Sequence, residues 1–402
     1  MIRTKEGQPN SNKGIRANLL KMNFFSFFTN LHFIGGVLIP FFMDWGGLNM
    51  MQIMILQSWF MLWTFVLEIP SGAVADYLGR KFTLVLACVI NIAGAIMYAS
   101  FPNFYVFLFG EAIWAVAAAL LSGAREAFIY DTLKDVGEPE KSKAVFARID
   151  SFRLAGVMIG APLGSFIAVR FGLNAPMLFI TLPLVVASLI GITFEEPART
   201  QKIRKKYTQI LKDGIEYFLK NRVLKILALD MIFIASVAYF MIWFYQPMLE
   251  LAGVDVAYFG FVHASFVVSQ IVIMNNYERL ETLLGSKKRL ITFSALITGI
   301  MFIVGGLTSL IPIVLMVITV GGGFGLSRRP LFLSYMNKFI SSSERATVLS
   351  AISMIRRLAL VAINPFVGMM ADWSLSYTLI ILGVLAVFFS LISRVKEEHL
   401  ID

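Results

Sequence analysis

Long apolar runs, broken only by short charged or turn-forming connections, constrain this chain more than any other feature. Four of them are Phe82–Phe101, Met177–Phe194, Ile311–Leu326 and Leu375–Ile392. Most approach the ~20 residues an α-helix needs to cross a hydrocarbon core about 30 Å thick. Composition points the same way. The chain is 58% hydrophobic and 15% charged, whereas soluble domains are about 45–50% apolar and about 25% charged. There is too little polar material to cover a water-facing surface. A transmembrane barrel would instead show ~10-residue segments of alternating polarity. The sequence therefore reads as an all-α, polytopic membrane protein.

The net charge of +10 would point to nucleic acid in a soluble protein. Here its distribution excludes that partner. Lys and Arg gather at Arg3–Lys21, Arg80–Lys81, Lys134–Lys143, Arg199–Arg222, Lys287–Arg289 and Arg394–Lys396. The alternate connections carry almost none, Arg170 being the clear exception. Basic residues concentrate in cytoplasmic loops, so both termini are expected in the cytoplasm of a multi-pass cell-membrane protein. The basic N-terminus leads into a long apolar stretch without a small-residue cleavage site, and reads as a tail before a retained first helix. One cysteine, Cys88, and three histidines leave no disulfide framework and no material for a metal centre or bound cofactor.

Splitting the runs at their polar connections predicts twelve spans. Six lie at about 17–42, 49–73, 82–101, 104–131, 144–170 and 174–194, and six at about 223–249, 256–276, 289–308, 311–336, 346–371 and 375–393. The expected organisation is a basic cytoplasmic tail (1–16), a six-helix bundle (17–194), a cytoplasmic linker (195–222), a second six-helix bundle (223–393) and a short cytoplasmic tail (394–402). Within the linker, Ile210, Leu211, Ile215 and Phe218 recur at helical spacing among lysines. That pattern fits an amphipathic helix on the anionic inner leaflet or a solvated linker helix.

Six spans, a connector and six more imply an internal repeat. Arg125 and Arg328 are 203 positions apart, and so are Arg153 and Arg356. Asp76-Tyr-Leu-Gly79-Arg-Lys81 has a weaker echo in Thr282-Leu-Leu-Gly285-Ser-Lys287.

The connection between the second and third spans reads Gly72-Ala-Val-Ala-Asp76-Tyr-Leu-Gly79-Arg80-Lys81. Taken with twelve spans and a two-fold repeat, this resembles the signature of the major facilitator superfamily of secondary transporters. Two further motifs are similar but altered. Gly110-Glu111-Ala-Ile-Trp-Ala115-Val-Ala117 keeps the small-residue face of helix 4, with Glu111 where the family often has Arg. Gly156-Val-Met-Ile-Gly160-Ala-Pro162-Leu-Gly164 approximates the helix 5 pattern of many exporters, with Pro162 displaced by one. The resemblance implies two pseudo-symmetric six-helix bundles rocking about a central site, and an efflux-type member. It also implies that Arg80 pairs with Glu126 or Asp131 at the inner end of helix 4. Asp76 can sit against the positive N-terminal end of helix 11, near Ser343–Ala346. Gly79 makes the turn and Gly72 admits a neighbouring helix.

Ionisable residues inside a span are functional candidates, because burying them is expensive. Arg356 lies 11 residues beyond Arg345 and Arg153 lies 10 beyond Lys143, depths of ~15–16 Å at about 1.5 Å per residue. Both approach mid-membrane, with Arg357 beside Arg356 on another face. These arginines either line a cavity or tie helices together through Asp150 or Glu68. Glu68, Glu111, Asp150 and Asp230 are the candidate proton carriers, each with a structural ion pair as its alternative. His32 could titrate or simply pack.

An intramembrane enzyme would need a nucleophile–base or metal constellation, and none is legible. A channel is disfavoured by the two-fold repeat. The expected activity is secondary transport of a small molecule, with protons as the coupling partner and a monomer in the bilayer. Export of amphipathic or drug-like compounds, by proton antiport, is the first reading. Uptake of a small organic anion held by Arg153 and Arg356 is the second.

Overall fold

The computed structural model describes residues 9–198, 207–341 and 344–401. The side chains of residues 9–13, 69, 207–213 and 346 fall outside that description. Among the described residues the chain is helix and turn, without a strand. We label the principal helices α1 (Pro9–Thr29), α2 (Met50–Leu78), α3 (Arg80–Ser100), α4 (Phe104–Asp135), α5 (Ser142–Phe171) and α6 (Ala175–Phe179 continued by Thr181–Ile192). The second set comprises α7 (Arg222–Leu251), α8 (Phe259–Asn275), α9 (Lys287–Leu307), α11 (Arg345–Trp373) and α12 (Leu375–Ile392). Between α9 and α11 lies α10, built from Ile311–Met316, a π-turn at Val317–Gly321 and Gly322–Met336. Eleven described helices are long and apolar enough to cross a membrane. With α1 they make the twelve helices of the fold.

Polar residues at the breaks start the helices. The side chains of Asn103, Asn221, Ser286 and Ser374 accept from the first-turn N–H groups of α4, α7, α9 and α12. Such caps satisfy donors that have no partner within the helix. Gly79, at φ 104°, turns the chain between α2 and α3, a conformation costly for any residue with a Cβ.

The chain divides into two compact units. The first takes Met1–Phe41, Trp45–Gly47 and Trp59–Ile203, and the second takes Phe42–Asp44, Leu48–Ser58 and Arg204–Asp402. Helix α2 is thus shared, with Met50–Ser58 in the second unit and the rest in the first.

In the first unit, Met22 and Phe25 of α1, Leu84 and Cys88 of α3, Phe128 and Leu133 of α4 and Phe194 after α6 form one buried cluster. Helix α5 approaches α1 so closely that a Cβ on Gly156 would lie 2.5 Å from the Phe27 carbonyl oxygen, and one on Gly160 2.9 Å from the His32 nitrogen. Gly164 is packed onto the Phe33 carbonyl in the same way. The helix 5 glycines are therefore the track on which the end of α1 lies, as small residues in membrane helices permit.

In the second unit, α7 is the central helix, and its Leu224, Leu227, Ala228 and Met231 are buried with Phe332 and Met336 of α10 and Val348 and Ile352 of α11. The linker helix, Tyr207–Lys220, packs here too. A Cβ on Gly214 would meet the Thr347 carbonyl oxygen at 2.8 Å, Phe218 is buried in the same cluster, and the Tyr217 hydroxyl donates to the Phe339 carbonyl at 3.1 Å. Its amphipathic face is thus spent partly on protein, not on a leaflet alone, because Gly214 lets α11 approach. Ile210 and Leu211 of that face lie outside the described side chains.

Candidate functional site

The inner turn of the first unit assembles around Arg80. Its guanidinium pairs with Asp76 at 2.7 Å and lies 3.7 Å from Asp131 of α4, joining the end of α2 to α4. Glu126 is exposed. Both carboxylate oxygens of Glu196 accept from the first N–H groups of α3, Arg80 at 2.6 Å and Lys81 at 2.8 Å. In the second unit Glu397 does the same for α9, accepting from Lys287 at 3.0 Å and Lys288 at 2.8 Å. A carboxylate there answers both the unpaired donors and the positive end of the helix dipole. Sequence reasoning missed both glutamates. The signal was present, since each follows the last helix of its bundle by four or five residues. Ser343 lies outside the described residues, as does the side chain of Ala346.

The arginines singled out from sequence have unlike surroundings. Arg153 pairs with Asp150 at 3.0 Å, one turn away on α5. Arg125 of α4 lies in the field of Asp150 and Glu126 as well as of Arg153, so the first unit's cluster carries its own counter-charges. The second unit holds a further group of arginines. Around half-buried Arg356 the charged neighbours that act most strongly are Arg329 of α10 and Arg357 of α11, together with the phenol of Tyr239 on α7. No carboxylate is among them. The Tyr239 ring is 6.3 Å, centroid to centroid, from buried Trp243. Three helices thus bring three guanidiniums and an aromatic wall together. Arg329 went unnoticed in the sequence, because it stands beside Arg328 in a span that offered no distinction between them.

Arg328 does something different. It is 1% exposed, pairs with Asp230 of α7 at 2.6 Å, and donates also to the Ile291 carbonyl and the Ser294 hydroxyl of α9. The second oxygen of Asp230 accepts from the Ser393 hydroxyl at 2.5 Å. Every oxygen of this acid is engaged, which is the arrangement a buried pair needs to offset its desolvation.

Of the remaining acids, Glu111 is 4% exposed on α4, against the hydroxyl of Tyr98 on α3. Tyr98 in turn stacks with Phe107 at 5.5 Å and lies 4.9 Å from Trp114. Glu68, two residues before Pro70, is half-buried. His32, also half-buried, contributes its backbone to the Gly160 contact. Pro162 lies within α5, between Gly160 and Gly164.

A family model described as Major Facilitator Superfamily matches residues 22–363. The chain belongs to that superfamily. Its fold is shared with solved transporters of low sequence identity. A variant of the nucleoside transporter NupG is 13% identical, with a TM-score of 0.79 over 93% of this chain and 98% of that one. A bacterial homologue of the human lysosomal transporter Spinster, inward-facing and occupied, is 15% identical, with a TM-score of 0.73 over 98% and 99%. A variant of the peptide transporter POT in complex with sulfate is 14% identical, with a TM-score of 0.72 over 97% and 94%. No curated protein sequence matches significantly. The superfamily member is a multi-pass membrane transporter, not an enzyme.

Proposed function

We propose that this transporter carries a small solute with a negative charge, held by Arg329, Arg356 and Arg357 with Tyr239 and Trp243 beside it. The observation that carries the reading is the surroundings of Arg356. Three guanidiniums share one neighbourhood in which the partner acting on Arg356 is a phenol, not a carboxylate. A half-buried guanidinium such as that of Arg356, at ~16 Å depth, can be met by a carboxylate or phosphate on the cargo, which it holds bidentately. The Arg153–Asp150 pair narrows the earlier anion hypothesis to the second unit. The aromatic wall suits a cargo with an apolar part, which joins the anionic and amphipathic readings in one molecule.

We infer that Glu111 carries the coupled proton. Asp230 and Asp150 are each held by an arginine, whereas the partner at Glu111 is the Tyr98 phenol. An ionisable group inside a span is a functional candidate because burying it is expensive. The helix 5 glycine track supports export as the direction, and the basic clusters support a cytoplasmic position for both termini.

The test is a binding titration on the purified protein with matched anionic, neutral and cationic amphiphiles. Anions should bind, and Arg356→Gln should weaken them by roughly 10- to 100-fold, the loss of a charged hydrogen bond worth about 1.5–3 kcal/mol. Equal affinity of the variant, or a preference for cations, would remove the site.

A further inference from the structure

Helix α2 changes allegiance at Ser58, and its first turns lie along one face of α11 within the second unit. Val361, Asn364, Gly368 and Asp372 mark that face at three- and four-residue spacing. At one end the Ser58 hydroxyl donates to the Val361 carbonyl at 3.0 Å. Midway, Gly368 admits the partner backbone, and a Cβ there would lie 2.7 Å from the Met51 Cα and 2.8 Å from the Met50 oxygen. At the far end Asp372 caps the start of α2. Its two oxygens accept from the N–H groups of Met50 at 2.7 Å and Met51 at 2.9 Å. Asn49 and Gln52 complete the turn reciprocally, Gln52 N–H donating to Asn49 Oδ1 at 2.9 Å and Asn49 N–H to Gln52 Oε1 at 3.1 Å. That is a capping box with a second helix's carboxylate added to it.

Asn364, between Val361 and Gly368 on the same helical face, is built differently. Asn364 is fully buried, and among the described residues neither its amide nitrogen nor its oxygen has a hydrogen-bond partner. A buried amide without partners is costly, and hydration on separation returns that cost. The contact is thus capped firmly at Asp372, while the α11 face that carries it holds a residue costly to bury.

We propose that Asp372 is the latch of this contact, made in the state closed at the end of α2 that carries Asn49 and broken when that end opens. From Trp59 onward α2 belongs to the first unit, so a movement of that unit pulls on the cap. The reading depends on alternating access but not on the identity of the cargo.

The experiment follows a reporter thiol and requires no substrate, so it succeeds or fails separately from the anion proposal. Cys88, the sole cysteine and 2% exposed, is replaced by Ala, and Met54→Cys is introduced, Met54 being fully buried on α2. Full-length protein in sealed vesicles is labelled by a membrane-impermeant maleimide from the side of residues 44–49. Asp372→Asn should raise the labelling rate about fivefold, as loss of a helix-terminal charge in a partly buried site allows. Asp372→Glu should stay near the parent, and Asn364→Leu should fall below it. Labelling unchanged in Asp372→Asn, or raised equally by the Glu variant, would overturn the latch.

Discussion

Replacing Asp230 by Asn would strand one of the most buried charges in the chain. Arg328 is 1% exposed and Asp230 9%, their contact is 2.6 Å, and Ser393 holds the other carboxylate oxygen. The substitution keeps the shape and an acceptor but leaves the guanidinium uncompensated. Breaking a buried pair from one side costs about 3–5 kcal/mol, whereas replacing both charges by groups of similar volume is often close to neutral. Asp230→Asn should therefore lose about that amount, and Asp230→Asn with Arg328→Met should recover most of it. Unfolding followed in mixed micelles against added denaturing detergent reads both. Transport in the single variant, where it survives, should keep its dependence on pH, since both oxygens of Asp230 are spent on Arg328 and Ser393. A loss below about 1 kcal/mol, or a double variant no better than the single, would refute the assignment of this pair to stability.

Three further outcomes follow from the same geometry. Gly156→Ala places a Cβ 2.5 Å from the Phe27 carbonyl oxygen, and overpacking of this kind costs about 1–3 kcal/mol, so the same micelle assay should show a clear loss. Glu196→Gln and Glu397→Gln each remove the charge of a two-bond cap. The two should cost similar amounts, about 0.5–2 kcal/mol, and should add, because they lie in separate units. Burial pushes the His399 imidazole below its ordinary value, Glu398 opposing and Lys396 and Arg222 adding to the effect, and its Nδ1 accepts from the Lys396 N–H at 3.2 Å. A depressed histidine stabilises the fold as the neutral form, so its contribution is whole above about pH 6.5 and fades below it. Amide exchange in residues 397–401, corrected for intrinsic rates, should show the tail loosening at about pH 5.5 relative to about pH 7.5.

Much of the architecture was legible because hydropathy and charge report it directly. Runs of membrane length, basic clusters in alternate connections and the offset shared by the arginine pairs are all one-dimensional signals. The turn Gly72–Lys81 could likewise be located from spacing alone. What the sequence left open was the pairing of charges, which depends on which helix faces lie together. Arg153 and Arg356 look equivalent as repeat mates, yet one stands a turn from Asp150 and the other among arginines. Arg328 and Arg329 are adjacent in sequence, and a 100° turn of the helix sends one into the Asp230 pair and the other towards Arg357. Glu196, Glu397 and Asp372 act on the backbone of distant helices; the position of the first two just after the last helix of a bundle was a signal, but it does not name the helix they cap. The linker helix carried an amphipathic pattern that serves lipid or protein equally well. Only Gly214 hinted at a close neighbour.

The central claim is a transporter whose cargo carries a negative charge and binds at Arg356. It is tested most directly in proteoliposomes with an imposed pH gradient and a labelled panel of anionic, neutral and cationic solutes. The account predicts proton-linked flux of an anionic solute that falls sharply in Arg356→Gln while neutral solutes stay behind. Flux confined to neutral or cationic solutes, or anion flux untouched by Arg356→Gln, would contradict it.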